Sequence, residues 1–384
     1  MCLSTSEQSF SINLKIMKLC RLFPPTEGKK FYKIQAYLLQ FLLLLPIPIL
    51  GNLHLLLDEN LDMEKVNYNA VFLAQVTCFV IKLMAIIANS EKIKKCITEL
   101  DSPKFAAVRE NHKIILQHCI KVCKRNTLIF VVFVICGASS WATKPLFWSR
   151  RNLPLDVWFP LDTTSTPVYC SLYIYLLIGV YFTSFANMVI DPLIAGLAYH
   201  ATSQIKILKD NLQHLNNVYA NEEITSSKNK IIYMKIKRCV QHYDDILSFV
   251  KEFEECFSLA IFSQISASVF VICFSCLQLS KIKTFGYYFI QLVFYFGVIL
   301  AQIYFYCFYG STLFEESSSI INAVYSSKWY DFDVPCRKAL LILMERAQTP
   351  ITVAAGKIMD LSLVTFATIL RRSYSLVAVL NNYQ

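Results

Sequence analysis

The chain has 384 residues, of which 55% are hydrophobic and only 17% charged, with a formal net charge of +10. Soluble domains carry roughly 25% charged residues, so a water-soluble globule of this size is excluded. Nine Gly and twelve Pro exclude a fibrous or disordered chain, and basic residues scattered over loops, without an aromatic-interleaved stripe, exclude nucleic acid as a partner.

Residues 1–33 carry Lys15, Lys18, Arg21, Lys29, Lys30 and Lys33 but no apolar core of signal-peptide length. The first span is therefore expected to act as its own insertion signal. Six apolar runs follow at 34–57, 70–89, 127–148, 168–190, 257–279 and 285–310, each long enough to cross about 30 Å of hydrocarbon. Lys82 in the second and Lys144 in the third lie close enough to an end to snorkel. Asp191 and Pro192 close the fourth, where a kinked helix is expected to leave the membrane. A seventh candidate, 351–380, is interrupted by Lys357, Asp360, Arg371 and Arg372.

Loop charge orients the bundle. With the N-terminus in the cytoplasm, the inner segments 1–33, 90–126, 201–256 and 311–350 hold 27 Lys and Arg. The outer segments 58–69, 149–167 and 280–284 hold five, and the first of them is acidic through Asp58, Glu59, Asp62 and Glu64. The inner segments are not linkers. Ile205, Leu208, Leu212 and Leu215 recur at helical spacing, as do Ile232, Ile236, Val240, Tyr243, Leu247, Val250 and Phe253, so helices continue beyond the membrane. Only 220–229 reads as a loose connection.

The expected fold is all-α: a polytopic membrane protein of seven transmembrane helices, with helices extending into a cytoplasmic anchor bundle. The segments are a cytoplasmic N-terminus (1–33), spans one to six with cytoplasmic extensions at 201–256 (34–310), a cytoplasmic anchor segment (311–350), and a seventh helix with a short extracellular end (351–384).

Enzyme chemistry is not expected. The six His form no metal-binding spacing, and GxSxG and phosphate-loop glycines are lacking. Many of the fourteen Cys fall in apolar runs or basic inner loops, where a thiol stays reduced. No cofactor and no metal are expected. Paired acids such as Asp244–Asp245 read as solvated helix faces.

Polar and aromatic groups at membrane depth are more informative. Phe72, Gln75 and Phe79 share a face of the second span. Gly137 and Trp141 stand one turn apart in the third, Tyr169, Tyr173 and Leu177 crowd the fourth, and Tyr287, Tyr288, Gln291 and Phe294 crowd the sixth. Packing accounts for many of them singly. Together they offer a mainly apolar cavity with a few hydroxyl and amide groups, the make-up of a small-molecule pocket. Arg371 and Arg372 have neither membrane face obviously near, which points to a water-filled cavity or channel wall.

The final third reads Tyr325-Ser326-Ser327-Lys328-Trp329-Tyr330, Met344-Glu345-Arg346-Ala347-Gln348-Thr349-Pro350, Ala355-Gly356-Lys357, Leu361-Ser362, Thr365-Phe366, Ile369-Leu370, Ser373-Tyr374-Ser375 and Leu380. This resembles the C-terminal signature of insect odorant receptors, and length, span count and inverted topology agree with that resemblance. Gustatory receptors of the same superfamily, the alternative reading, end in Thr-Tyr, five apolar residues and Gln-Phe. Here Thr365-Phe366 is followed by Arg372-Ser373. The odorant receptor co-receptor carries a large insertion between spans four and five that this chain lacks, so the resemblance is to a ligand-tuning subunit.

The resemblance implies a ligand-gated, non-selective cation channel of four subunits, formed with the co-receptor in the plasma membrane of olfactory sensory neuron dendrites. A small volatile odorant would bind in the outer half of the helix bundle. Carried over by position, the pocket comprises Phe72, Gln75, Gly137, Trp141, Tyr173, Leu177, Tyr287 and Gln291, with Phe79 beside them. The gate of the pore-lining last helix falls near Val379, Asn382 and Tyr383. A G-protein-coupled receptor would carry an acidic-Arg-aromatic triplet and Asn-Pro-x-x-Tyr, both missing, and a transporter is disfavoured by the lack of repeats and of buried charge pairs.

Overall fold

A computed structural model of the chain describes residues 4–25, 29–57, 63–143, 153, 157–159, 165–216, 225–281 and 286–382. Seven long helical segments make up the bundle. The first is broken: α2 (Lys29–Leu43) stops before Pro46, which opens α3 (Pro46–Leu57) with an imide nitrogen that needs no helical partner. The second, α4 (Met63–Ala88), bends by 67° into α5 (Ser90–Glu99). The others are α6 (Glu110–Thr143), α7 (Thr166–Gln213), α8 (Thr225–Lys281), α9 (Tyr287–Ser318) and α12 (Leu363–Asn382). Among the described residues four helices are long and apolar enough to cross a membrane, or five if the bent pair is one span.

The 57 residues of α8 rise about 85 Å at 1.5 Å each, far more than the hydrocarbon needs. The surplus forms the inner part of the fold, as the helical periodicity requires. Ile205, Leu208, Leu212 and Leu215 are fully buried against Ile232, Ile236, Tyr243 and Phe253 in one core. The α8 helix already begins at Thr225, so residues 225–229 are helical rather than a loose connection. Lys206 and Lys209 of α7 grip Glu316 of α9 at 3.3 and 2.7 Å, tying the ends of two spans together. The short α10 (Ile320–Tyr325) and α11 (Val334–Ala347) complete this layer.

Residues 1–33 are more than a charged tail. Helix α1 (Thr5–Leu19) packs along α6 and α7. Asn13 donates to Val189 O at 2.8 Å and accepts from Thr127 Oγ1 at 3.2 Å, and Phe10 fills the space left by Gly196.

The chain between 351 and 362 departs from the expected seventh span. It forms a hairpin of β1 (Ala354–Ala355) and β2 (Met359–Asp360), and the helix begins only at Leu363. Lys357 and Asp360 therefore lie in this hairpin and not inside a span. Gly356 (φ +61) and Lys357 (φ +59) both take left-handed backbone at the turn. Ser362 caps α12, its Oγ accepting from Thr365 N at 3.1 Å. These are residues of the C-terminal signature, and their local chemistry accounts for its form.

Candidate ligand-binding site

Helix α7 runs through the middle of the bundle, and every residue from Ala186 to Ile205 on it is buried. Pro192 lies inside this helix, which continues beyond it to Gln213, in keeping with the helical extension expected past the fourth span. The preceding Asp191 is fully buried and forms an ion pair with Lys82 of α4, also fully buried. Lys82 is thus not a snorkelling residue, and the fold does hold a buried charge pair.

The surroundings of this pair satisfy both charges. The Lys82 ammonium donates to Asp191 Oδ1, to Asn187 Oδ1 at 3.0 Å and to Gln264 Oε1 of α8 at 3.2 Å, which uses all three of its hydrogens. Asp191 accepts also from Tyr306 OH at 2.5 Å and from Gln302 Nε2 at 2.9 Å, both on α9. Gln264 donates in turn to Gln302 Oε1 at 2.9 Å. The partners stand four residues apart on α7 (Asn187, Asp191) and on α9 (Gln302, Tyr306), so each helix presents them on one face. Removing the partners from a desolvated charge costs far more than the pair itself gains, which makes the cluster a tight cross-brace of four helices.

Directly against this brace is a cavity of about 120 Å³, measured as the space open to the centre of a water molecule. One water needs roughly 10–15 Å³ of such space, so several waters or one small organic molecule fit. Its walls are mainly aliphatic, with Ile47, Val76, Val134, Val180, Val298 and Ile299. Gln75, Gln291, Thr183 and Ser184 interrupt them, and Asn187 and Gln302 belong to both the lining and the ion-pair brace.

Of the residues expected at a pocket, Gln75 (α4), Gly137 (α6) and Gln291 (α9) meet at this cavity. Gly137 leaves open space where a Cβ would stand. Phe79 is buried in the core, Tyr173 and Leu177 are half-buried on α7, and Tyr287 donates to Ser140 O and lies 2.7 Å from Thr143 Oγ1. None of these four lines the cavity. The side chains of Phe72, Trp141, Val379 and Asn382, and the whole of Tyr383, lie outside the described residues. Arg371 and Arg372 are both exposed on α12.

Sequence reasoning missed the aliphatic lining, Asn187 and Gln302. The signal was present: an amide one turn before Asp191, and another in the middle of an otherwise apolar α9. Among the described residues the one cluster with metal-ligand atoms is Cys119, Cys123 and His200, buried and within 4.8 Å of one another, with His200 Nε2 2.9 Å from Ser9 Oγ. In the inner layer, His242 Nε2 lies 3.1 Å from Gln204 Oε1, and Gln204 Nε2 donates to Phe105 O at 3.2 Å. That fixes the amide, so His242 donates from Nε2. Burial pushes the His242 imidazole down to about 4.

A sequence model of the family described as "7tm Odorant receptor" matches residues 62–374. The chain belongs to the insect odorant receptor family. The receptor is 28% identical over 349 residues to Odorant receptor Or1 of Anopheles gambiae, covering 84% of this chain and 83% of that one. It is 25% identical to Odorant receptor 46a, isoform A, of Drosophila melanogaster, over 90% and 88% of the two chains. It also matches the odorant receptor coreceptor of Aedes albopictus, at 26% over 46% of this chain and 36% of that protein. Its fold is that of the olfactory receptor OR5 from Machilis hrabei in complex with eugenol, with TM-score 0.84, 17% identity and coverage of 99% and 100%. The receptor is a seven-helix membrane protein of a receptor family, not of an enzyme family.

Proposed function

We propose that this receptor is the ligand-tuning subunit of an odorant-gated, non-selective cation channel, built from four chains together with the co-receptor in the plasma membrane of olfactory sensory neuron dendrites. The observation that carries the reading is the cavity between α3, α4, α6, α7 and α9, aliphatic in its walls and bounded by a polar brace. It suits a small organic molecule, as eugenol is to OR5 of M. hrabei. An apolar volatile entering it gains about 25 cal/mol per Å² of apolar surface buried.

Binding opens the channel only to the extent that the open arrangement holds the ligand more tightly than the closed one. The last helix supports a pore at a junction between chains. Val364 and Tyr374 are 75% and 74% exposed in the single chain, and Arg371 and Arg372 share that outer surface. Such a cation costs roughly 2.5–3.5 kcal/mol near the bilayer centre, a penalty that water or a neighbouring chain relieves. Apolar side chains near the end of α12 would hold the resting pore shut by excluding water. The test is to record currents from cells expressing this chain with and without a co-receptor against an odorant panel. Odorant-evoked cation current that requires both chains is expected, and a response blocked by inhibiting G-protein coupling would sink the channel reading.

A further inference from the structure

Among the amide side chains of the cavity wall, three atoms lack a hydrogen-bond partner although they are out of contact with solvent. They are Gln75 Oε1 and both polar atoms of Gln291, Oε1 and Nε2. Gln291 is 97% buried, with a relative exposure of 3%. These differ from the other amides at the cavity, because Asn187 and Gln302 are engaged by Lys82, Asp191 and Gln264. A polar group left unpaired in an apolar enclosure is costly, and native folds seldom tolerate several side by side. In the empty receptor the cavity has room for waters that meet these atoms. A ligand that displaces the waters must replace their bonds or leave the amides stranded.

The count of donors and acceptors selects among ligands. Two of the unmet atoms are acceptors, Gln75 Oε1 and Gln291 Oε1, and one, Gln291 Nε2, is a donor. An ether, ester, ketone or aldehyde brings only acceptors, so it satisfies Gln291 Nε2 and leaves both carbonyl oxygens bare. A hydroxyl donates to one carbonyl oxygen and accepts from the amide nitrogen, meeting one unmet atom of each kind, whereas an aliphatic amine is protonated at neutral pH and brings donors alone with a charge that aliphatic walls do not solvate. The rest of the wall is aliphatic and takes a hydrocarbon body. Resting on the cavity being the odorant site, we infer that the ligand class is a small alcohol or phenol, its hydroxyl held by Gln291 and Gln75. Sites built to bond a hydroxyl reject analogues lacking it far more strongly than apolar walls reject a missing methylene.

The probes are constitutional isomers of equal bulk: 1-hexanol against methyl pentyl ether, and 4-ethylphenol against 4-methylanisole. Each is applied to cells expressing the full chain with a co-receptor, and to the purified chain for thermal stabilisation. The hydroxyl member of each pair is expected to act at a concentration at least about tenfold lower than its ether. Gln291→Met, which keeps the bulk and removes an unpartnered amide, is expected to fold as well as the parent and to abolish that preference, bringing the potency of each hydroxyl compound down to that of its ether. Equal potency of the isomers, or a preference unchanged in Gln291→Met, overturns the inference and leaves the cavity reading standing. If no probe acts or stabilises, and Gly137→Leu alters no odorant response either, the cavity is not the ligand site and both readings fall.

Discussion

Lys82 of α4 and Asp191 of α7 meet with no solvent exposure on either side chain, 109 residues apart in sequence and one helical turn from the cavity lining residue Asn187. A pair so desolvated is worth little relative to two apolar residues but a great deal relative to one unpaired charge. Lys82→Met or Asp191→Leu alone is expected to cost about 3–5 kcal/mol and to abolish surface expression. The double variant, apolar at both positions, should recover much of that loss. Thermal stability of the purified chains measures it. If the double variant is as damaged as the sum of the singles, the two charges do not act as a pair.

Gly137 faces open space, with no atom within 4 Å of where a Cβ would stand, and it lines the cavity, so a side chain added there takes up cavity space. Gly137→Leu is expected to leave folding intact or improve it, since Gly costs up to about 1 kcal/mol in a helix interior. It should shrink the cavity and weaken responses to bulky odorants more than to small ones. Dose–response curves across a homologous series check this, and a uniform loss across all chain lengths would point instead to a coupling defect.

Much of this arrangement was legible in the sequence, and the misses have physical reasons. Apolar length and loop charge are properties of segments, so seven helices and their orientation follow from residues taken in blocks. Helical periodicity at Ile205, Leu208 and Leu212 likewise needs no knowledge of the partner helix. What was not legible depends on pairing across the bundle. Lys82 looks free to snorkel until α7 brings Asp191 beside it. The aliphatic lining at Val134, Val180 and Val298 looks like any other apolar residue until helices splay around it. Aromatics such as Phe79 and Tyr287 drew attention by size, yet Phe79 packs the core and Tyr287 ties α9 to the end of α6. The hairpin at 351–362 was hidden because Ile351 and Val353 continue the apolar composition of a span while Gly356 and Lys357 turn the chain.

That turn makes its own prediction. Gly356 combines left-handed backbone with a close approach in which a Cβ would lie 2.8 Å from Phe262 Cδ2, and its N donates to Ser258 O at 3.2 Å. Gly356→Ala is expected to destabilise the fold by about 1–2 kcal/mol, from strain at positive φ and from displacement of Phe262. Gly297→Ala, inside α9 where a Cβ would make only an ordinary 3.6 Å contact with Phe133 and φ is not positive, is the control and should be neutral or slightly stabilising. Similar melting temperatures for the two variants would refute the assignment.

The inner layer should respond to acid through His242. Its folded-state value near 4 lies below the ordinary 6.5, so the unfolded chain binds the proton more readily. The stability this neutral imidazole contributes is full above pH 6.5 and is lost as pH falls from about 6.5 towards 4. By linkage the loss is on the order of 2 kcal/mol between pH 7.5 and 5. His242→Asn removes the titrating ring and should flatten this part of the profile, while the carboxylates titrate as before. Identical pH profiles for parent and variant would show that the imidazole is accessible in the folded state.

The pore assignment rests on α12 and can be tested at both ends of it. If α12 borders water in the assembled channel, Cys introduced at Val379 or Asn382 should react with a charged thiol reagent and alter open-channel current. One altered chain lines only part of a shared pore, so partial block or changed permeability is expected rather than silence. Arg371→Glu or Arg372→Glu should shift cation permeability where that side chain meets the path, since both are exposed on the single chain. Reversal of one charge across a few ångströms of partly screened space is worth about 1 kcal/mol or more, several-fold in relative permeability. Cys at Ser373, which is buried against its own chain, is the internal control and should stay unmodified. Permeation untouched by every one of these changes, with assembly preserved, would place the conduction path elsewhere and leave α12 as a packing element between chains.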